Sequence, residues 1–118
     1  MKLDGVHHVS LVVRDLAAAR RFYVEALELE EIPRPAFPFP GAWLRSGAQE
    51  IHLIEQADFE PPEGQHFAFR APGLDALAER LTARGVELRG PFEVPGAGRQ
   101  AFLRDPTGNL IELNEPKR

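Results

Sequence analysis

Polar and apolar positions in the first half of the chain predict a strand, a helix and three further strands. The first strand, at 6–13, alternates in polarity and is rich in β-branched residues, and further strands are expected at 29–32, 42–47 and 49–56. Asp15 has the character of an N-cap, and a helix is predicted after it from apolar residues at helical spacing, namely Leu16, Ala19, Phe22, Tyr23, Ala26 and Leu27. The proline-rich stretch 33–41 is a connection, since proline excludes a helix or a central strand there.

The second half repeats this order. A strand at 64–71 precedes an amphipathic helix at 74–84 that Gly85 ends. The remaining elements are expected as a short strand at 86–88, a loop at 90–98, and strands at 99–105 and 109–115 joined by a turn at 105–109. His8 and His66, like Leu16 and Leu74, are 58 positions apart. The spacing indicates an internal duplication, which sets the architecture.

Alternation along four of these strands gives each one an apolar face and one face with polar side chains. The polar face has the side chains that could bind a metal or take part in catalysis. They are His8, Ser10, Glu50, His52, His66 and Glu112. Neighbouring residues on a strand point to opposite faces, so only one of His7 and His8 should face a given site. We expect His8 to be the site histidine and His7 to belong to the strand edge.

Composition limits the function classes. The 118 residues suit one compact domain of ordinary composition, and the absence of cysteine excludes disulfides and thiolate metal sites. A net charge of −4 without a basic stripe argues against nucleic-acid and membrane partners. The first apolar segment begins close to Met1, so we expect no targeting leader and a cytoplasmic location.

Two or three imidazoles with one carboxylate form a ligand set for a divalent transition metal. Two histidines and one glutamate with open positions suit iron(II), manganese, nickel, cobalt or zinc. The competing interpretation is a set of hydrogen-bonded structural histidines, which is the commoner fate of a histidine on a strand. Gly96-Ala97-Gly98 is not a phosphate loop, because no helix begins after it.

Three segments resemble the vicinal oxygen chelate superfamily: HVSLVVRDL at 8–16, HFAF at 66–69 and FLRDPTGNLIEL at 102–113. That superfamily includes glyoxalase I, fosfomycin-resistance proteins, extradiol dioxygenases and bleomycin-resistance proteins. The resemblance implies an α+β fold in which two βαβββ modules, at about 4–57 and 64–116, form a cup-shaped mixed sheet with the helices outside. It also implies a single domain over 1–118, usually in a homodimer.

The resemblance implies His8, His66 and Glu112 as metal ligands. A fourth family position falls near His52, although strict spacing between the halves points to Ile54 instead. The expected function is a metal-dependent lyase, isomerase, or thiol or water addition on a small substrate chelated through vicinal oxygens. An iron(II) extradiol-type dioxygenase and a metal-free binding or resistance protein are the alternatives.

Other residues are candidates for catalysis or substrate binding. His52 and Glu50 are candidate general bases, with His52 also a possible ligand or hydrogen-bond donor, and Ser10 would place a hydroxyl near the metal. Trp43 could form an apolar wall, and Arg45 and Arg99 could hold an anionic substrate, although most such arginines are surface residues. Phe37 and Phe39, in the proline-rich stretch, suggest a lid, a dimer contact or a cover over the core.

Overall fold

A computed structural model describes residues 2–117, and the chain divides into two compact units, residues 1–60 and 61–118. The first unit has the elements β1 (His8–Val13), α1 (Leu16–Arg20), β2 (Glu30–Ile32), β3 (Gly41–Ser46) and β4 (Gln49–Glu55). Its sheet has the order β1-β4-β3-β2, in which β1 is parallel to β4 and the other pairs are antiparallel.

The second unit repeats this plan. Its elements are β5 (His66–Arg70), α2 (Leu74–Ala83), β6 (Arg89–Val94), β7 (Gly98–Arg104) and β8 (Leu110–Glu115). The sheet order is β5-β8-β7-β6, again with one parallel pair, β5 and β8. The predicted α+β class built from two βαβββ modules is therefore confirmed.

Each unit has its own apolar core under its helix. The buried apolar residues of β4 and β8 are those of the predicted apolar face: Ile51, Leu53, Ile111 and Leu113. A glutamate at the end of each of these strands accepts the N–H of the first helical residue, from Leu16 to Glu55 at 2.8 Å and from Leu74 to Glu115 at 3.0 Å. These bonds satisfy backbone donors that a helix N-terminus leaves without partners.

The helix cap at Asp15 and the turn at 105–109 form as the sequence predicts. Asp15 caps α1 by accepting the N–H of Ala18 at 3.1 Å. Between β7 and β8, Asp105 Oδ1 accepts the N–H groups of Thr107 and Asn109 at 2.9 and 2.8 Å. Gly108 adopts the left-handed conformation there, with φ +98°.

Two elements differ from expectation. The first helix changes at Arg21 from α-helical to π-helical hydrogen bonding and continues to Ala26. The second difference is at 86–94: no strand forms at 86–88, and β6 runs through the segment expected as a loop. Pro91 is tolerated because β6 is an edge strand whose register shifts between Arg89 and Phe92, so proline costs no regular ladder bond. No helix within residues 2–117 is long and apolar enough to cross a membrane.

Candidate functional site

Three rings form a stack on the polar face of the first unit. In the sheet, His52 of β4 is paired with Ser10 of β1 on one side and with Trp43 of β3 on the other. The His52 ring lies parallel to Trp43 with a centroid distance of 4.2 Å, and it stacks on His8 at 4.1 Å. The His52 side chain is therefore almost fully covered, although it lies on the polar face, with 8% of the residue exposed.

Glu50 completes this cluster with a carboxylate. His52 Nε2 lies 2.9 Å from Glu50 Oε1, and because a carboxylate can only accept, Nε2 carries the proton. This hydrogen bond is the main cause that holds the pKa of Glu50 below its ordinary value, and the positive charge of Arg45 acts in the same direction. A neutral His52 then keeps a lone pair on Nδ1, which suits a proton acceptor.

A second histidine–glutamate pair lies in the second unit. His66 Nδ1 donates to the Gly64 carbonyl at 2.9 Å, since that oxygen can only accept. His66 Nε2 lies 3.2 Å from Glu112 Oε1, and Asn114 donates to the other carboxylate oxygen at 3.1 Å. Glu112 is 8% exposed. The Gly64 carbonyl thus holds a proton on Nδ1 and orients the ring so that Nε2 faces the carboxylate, where a proton on Nε2 makes the contact a hydrogen bond.

Strand register identifies the counterpart of Glu112 in the first unit. His66 pairs with Leu110, and Glu112 lies two residues further along β8. His8 pairs with Glu50, so the equivalent position on β4 is His52. Ile54, the alternative from strict spacing, lies one pleat beyond that position. Each unit therefore carries a histidine on its first strand and a second buried polar side chain two residues past the pairing partner.

His7 lies beside His8 and does not act only as strand edge. Strand β1 is assigned from His8, and the His7 carbonyl just before it accepts the N–H of Glu50 on β4 at 3.1 Å. The Nδ1 atoms of the two rings are 2.9 Å apart, and both residues line one cavity together with Ser10. The expectation that only one of the two histidines faces a given site is therefore wrong.

That cavity lies in the first unit and has a volume of about 340 Å³. Its further lining includes His52 and four residues on β3 and in the proline-rich connection: Arg34, Phe37, Phe39 and Trp43. Phe37 and Phe39, for which a lid, a dimer contact or a cover over the core was expected, line this cavity. Arg45 does not belong to the lining, and its guanidinium is paired with Glu30 at 3.6 Å.

Arg99, on β7, forms ion pairs with residues at the start of α2 and at the end of β8. Its Nη1 and Nη2 donate to Asp75 at 3.0 and 2.8 Å, and Nη1 also reaches Glu115 at 3.4 Å. These contacts lower the pKa of Asp75, while the pKa of Glu115 is lowered first by the Leu74 N–H and then by Arg99. The guanidinium face that was predicted to hold a substrate is paired with Asp75 in this structure.

The predicted metal ligands are divided between the two units, with His8 in the first and His66 and Glu112 in the second. Within residues 2–117, no three histidine, aspartate or glutamate side chains form a group that could hold a metal ion. Two site residues were missed from the sequence. The signal for Arg34 was its place between two prolines in an aromatic stretch, whereas His7 was set aside because alternation along the first strand predicted only one histidine on the site face.

The family model of the Glyoxalase/Bleomycin resistance protein/Dioxygenase superfamily matches residues 5–113. A virulence protein of Salmonella typhimurium is 32% identical, with 98% of this chain and 86% of that protein covered. The fosfomycin resistance protein FosX of Listeria monocytogenes is 27% identical, with coverage of 95% and 90%.

Solved structures agree with this match over the whole chain. A structure from Bacillus anthracis that is assigned to the glyoxalase family has a TM-score of 0.90 at 31% identity, covering 99% of this chain and 98% of that one. The antibiotic binding protein TnmS3 of a Streptomyces species has a TM-score of 0.82 at 32% identity, covering 99% of both chains. FosX of Listeria monocytogenes, in a variant complexed with Mn(II) and dihydroxypropylphosphonic acid, has a TM-score of 0.83 at 24% identity, covering 98% and 95%.

Proposed function

The chain belongs to the glyoxalase/bleomycin resistance protein/dioxygenase superfamily, and within it we propose a divalent-metal-dependent enzyme that acts on a small molecule bound through adjacent oxygens. The reaction is a lyase step, an isomerisation, or the addition of a thiol or water. We further propose that the protein acts as a homodimer in the cytoplasm.

The observation that carries this proposal is the arrangement of His66 and Glu112. With one proton held on Nδ1 by the Gly64 carbonyl, His66 turns Nε2 toward the Glu112 carboxylate at 3.2 Å, so a cation that displaces the Nε2 proton would meet an imidazole nitrogen and a carboxylate oxygen side by side. A metal-binding histidine usually has its other ring nitrogen fixed in this way by an oxygen. The donor set therefore fits a divalent cation.

His8 is the proposed third ligand, and a bound metal would polarise substrate oxygens and stabilise negative charge that develops on them. Proton transfer and substrate contact are assigned to side chains of the first unit. His52, with its Nε2 proton held by Glu50, is the proposed base through Nδ1, and Glu50 keeps the ring in the required tautomer. Ser10 and Trp43 line the cavity of the first unit, where the Ser10 hydroxyl and the Trp43 ring are the proposed substrate contacts.

A metal-free binding protein is the second candidate. The cavity of the first unit is lined mainly by rings, which is typical of ligand pockets, and the similar Streptomyces protein is an antibiotic binding protein. In this alternative, the polar side chains on the strands contact the ligand and perform no chemistry.

Elemental analysis of protein purified without chelators separates these functions. About one equivalent of manganese, nickel, zinc or cobalt per chain, lost in His8→Ala, is the expected result. About one equivalent of iron per chain would instead support an iron(II) dioxygenase that uses the same ligands. If no metal is present and none can be restored, the enzyme proposal is wrong and the binding function replaces it.

A further inference from the structure

The proline-rich connection positions two phenylalanine rings at the mouth of the first unit's cavity. Phe37 and Phe39 are each followed by a proline, which restricts them to extended backbone. Residues two apart in an extended segment project to the same side. Their rings are accordingly nearly parallel, with centroids 5.4 Å apart and an interplanar angle of 9°.

Both rings are partly exposed on a stiff segment. Each phenylalanine is 42% exposed, which is a large apolar surface to leave in water on a segment that the prolines stiffen. Phe37 lies 6.1 Å from Trp43, whose ring continues into the stack with His52. The cavity wall is thus a series of flat π surfaces, and a rigid wall loses little conformational entropy when it binds a flat molecule.

Arg34 adds a positive charge to this wall. Its guanidinium lies 4.9 Å from the Phe37 ring centroid and 5.0 Å from that of Phe39, and Nη2 donates to the Phe39 carbonyl at 2.9 Å. No carboxylate in the described part of the chain pairs with Arg34. A half-buried arginine with spare donors and without a counter-ion suits an anionic group on a ligand.

We propose that the cavity takes a planar aromatic substrate bearing a carboxylate-like anionic group, with the ring against Phe37, Phe39 and Trp43 and the anion at Arg34. The inference names the substrate class of the site in the proposed function and rests on it for the chemistry, but the binding step needs only the cavity. The main competing occupant of exposed phenylalanines is a second copy of this chain.

Calorimetric titration of the metal-depleted full-length protein tests the inference with three probes. They are 2-naphthoate, its fully saturated decahydronaphthalene analogue with the same carboxylate, and the uncharged 2-naphthylmethanol. We expect 2-naphthoate to bind roughly tenfold more tightly than either analogue, because each lacks one of the two interactions. The same order is expected after metal is restored.

Variants assign the effect to residues. Phe39→Leu should weaken 2-naphthoate roughly three- to tenfold, while Phe92→Leu, an exposed phenylalanine on β6, should change it less than about twofold. Arg34→Met should remove the preference for naphthoate over naphthylmethanol, and Arg34→Lys should restore most of it.

Equal affinities for 2-naphthoate and its saturated analogue, or no binding of either, would overturn the inference. So would a Phe39→Leu variant that loses its dimeric mass in light scattering while naphthoate affinity stays unchanged, since the rings would then pack against a second copy. Metal binding without aromatic selectivity refutes this inference alone. Aromatic selectivity in a protein that binds no metal refutes the enzyme proposal alone.

Discussion

Gly41 opens strand β3 at a point where any side chain would collide with two parts of the site. It is buried and pairs with Ile54 of β4. A Cβ atom added to it would overlap the Leu53 carbonyl oxygen and lie 3.0 Å from Arg34 Nη2. The carbonyl is backbone, so β3 and β4 must separate, whereas the arginine can swing away. Gly41→Ala should therefore cost stability and also displace Arg34 from the cavity.

The stability cost of Gly41→Ala can be estimated from two opposing effects. Forcing an extra methyl group into packed structure costs about 1–3 kcal/mol. The lower conformational entropy of the unfolded chain returns about 0.4–1 kcal/mol. A net loss of about 1–2 kcal/mol remains. With an unfolding entropy of about 0.25 kcal/mol/K for a chain of this length, Tm should fall by about 4–8 °C.

Thermal unfolding of Gly41→Ala, followed by circular dichroism, and the emission of Trp43, the single tryptophan, measure both effects. Gly47→Ala is the matched control, because its added methyl meets open space while its φ of +59° carries strain. Both variants should lose stability, but only Gly41→Ala should alter tryptophan emission and naphthoate affinity. A Gly41→Ala protein with the wild-type Tm and emission would refute the packing argument.

Three further predictions concern charge and ligation. Arg99→Met should lower the free energy of unfolding at pH 7 more than at about pH 2. The folded protein lowers the pKa of Glu115 below its ordinary 4.5 and that of Asp75 below its ordinary 3.8. The stability from these ion pairs is therefore fully present above the ordinary pKa values and is lost as the pH falls through the lowered pKa values. An equal loss in urea unfolding at both pH values would contradict this. His52→Ala should keep its metal in elemental analysis but lose turnover once a substrate is known, whereas metal loss would make His52 a fourth ligand. Co-expressed His8→Ala and Glu112→Gln chains should regain about a quarter of an equivalent of metal per chain if the ligands come from two copies, because about half of randomly formed dimers are mixed and each of these has one intact site. They should bind none if each site lies within one chain.

Alternation and duplication were sufficient to predict the two modules, because the strand period and the 58-residue repeat are local properties of the sequence. The counterpart of Glu112 was not accessible in the same way. The number of residues between His66 and Glu112, counted from His8 in the first half, leads to Ile54, because the two halves differ in the length of their connections. Only the hydrogen-bonded register of β1 on β4 identifies His52 as the counterpart. Register depends on tertiary pairing, which sequence spacing does not encode.

The remaining differences come from contacts that the sequence pattern does not show. Strand β6 forms in spite of a glycine and a proline because it pairs with β7 on one side and has a bulge where the register shifts. The sequence does not reveal that Asp75 lies within 2.8 Å of the Arg99 guanidinium. The position of Arg34 between two prolines does not show that its guanidinium lies against two phenylalanine rings.

The central claim is that His66 and Glu112 hold a divalent metal, and calorimetric titration of Mn(II) into metal-free protein tests it most directly. Wild-type protein and the control Glu79→Gln, an exposed glutamate on α2, should bind about one equivalent per chain. His66→Ala and Glu112→Gln should lose affinity by more than the roughly 10–100-fold that removal of an outer hydrogen-bond partner causes. Full affinity in either variant would contradict the assignment.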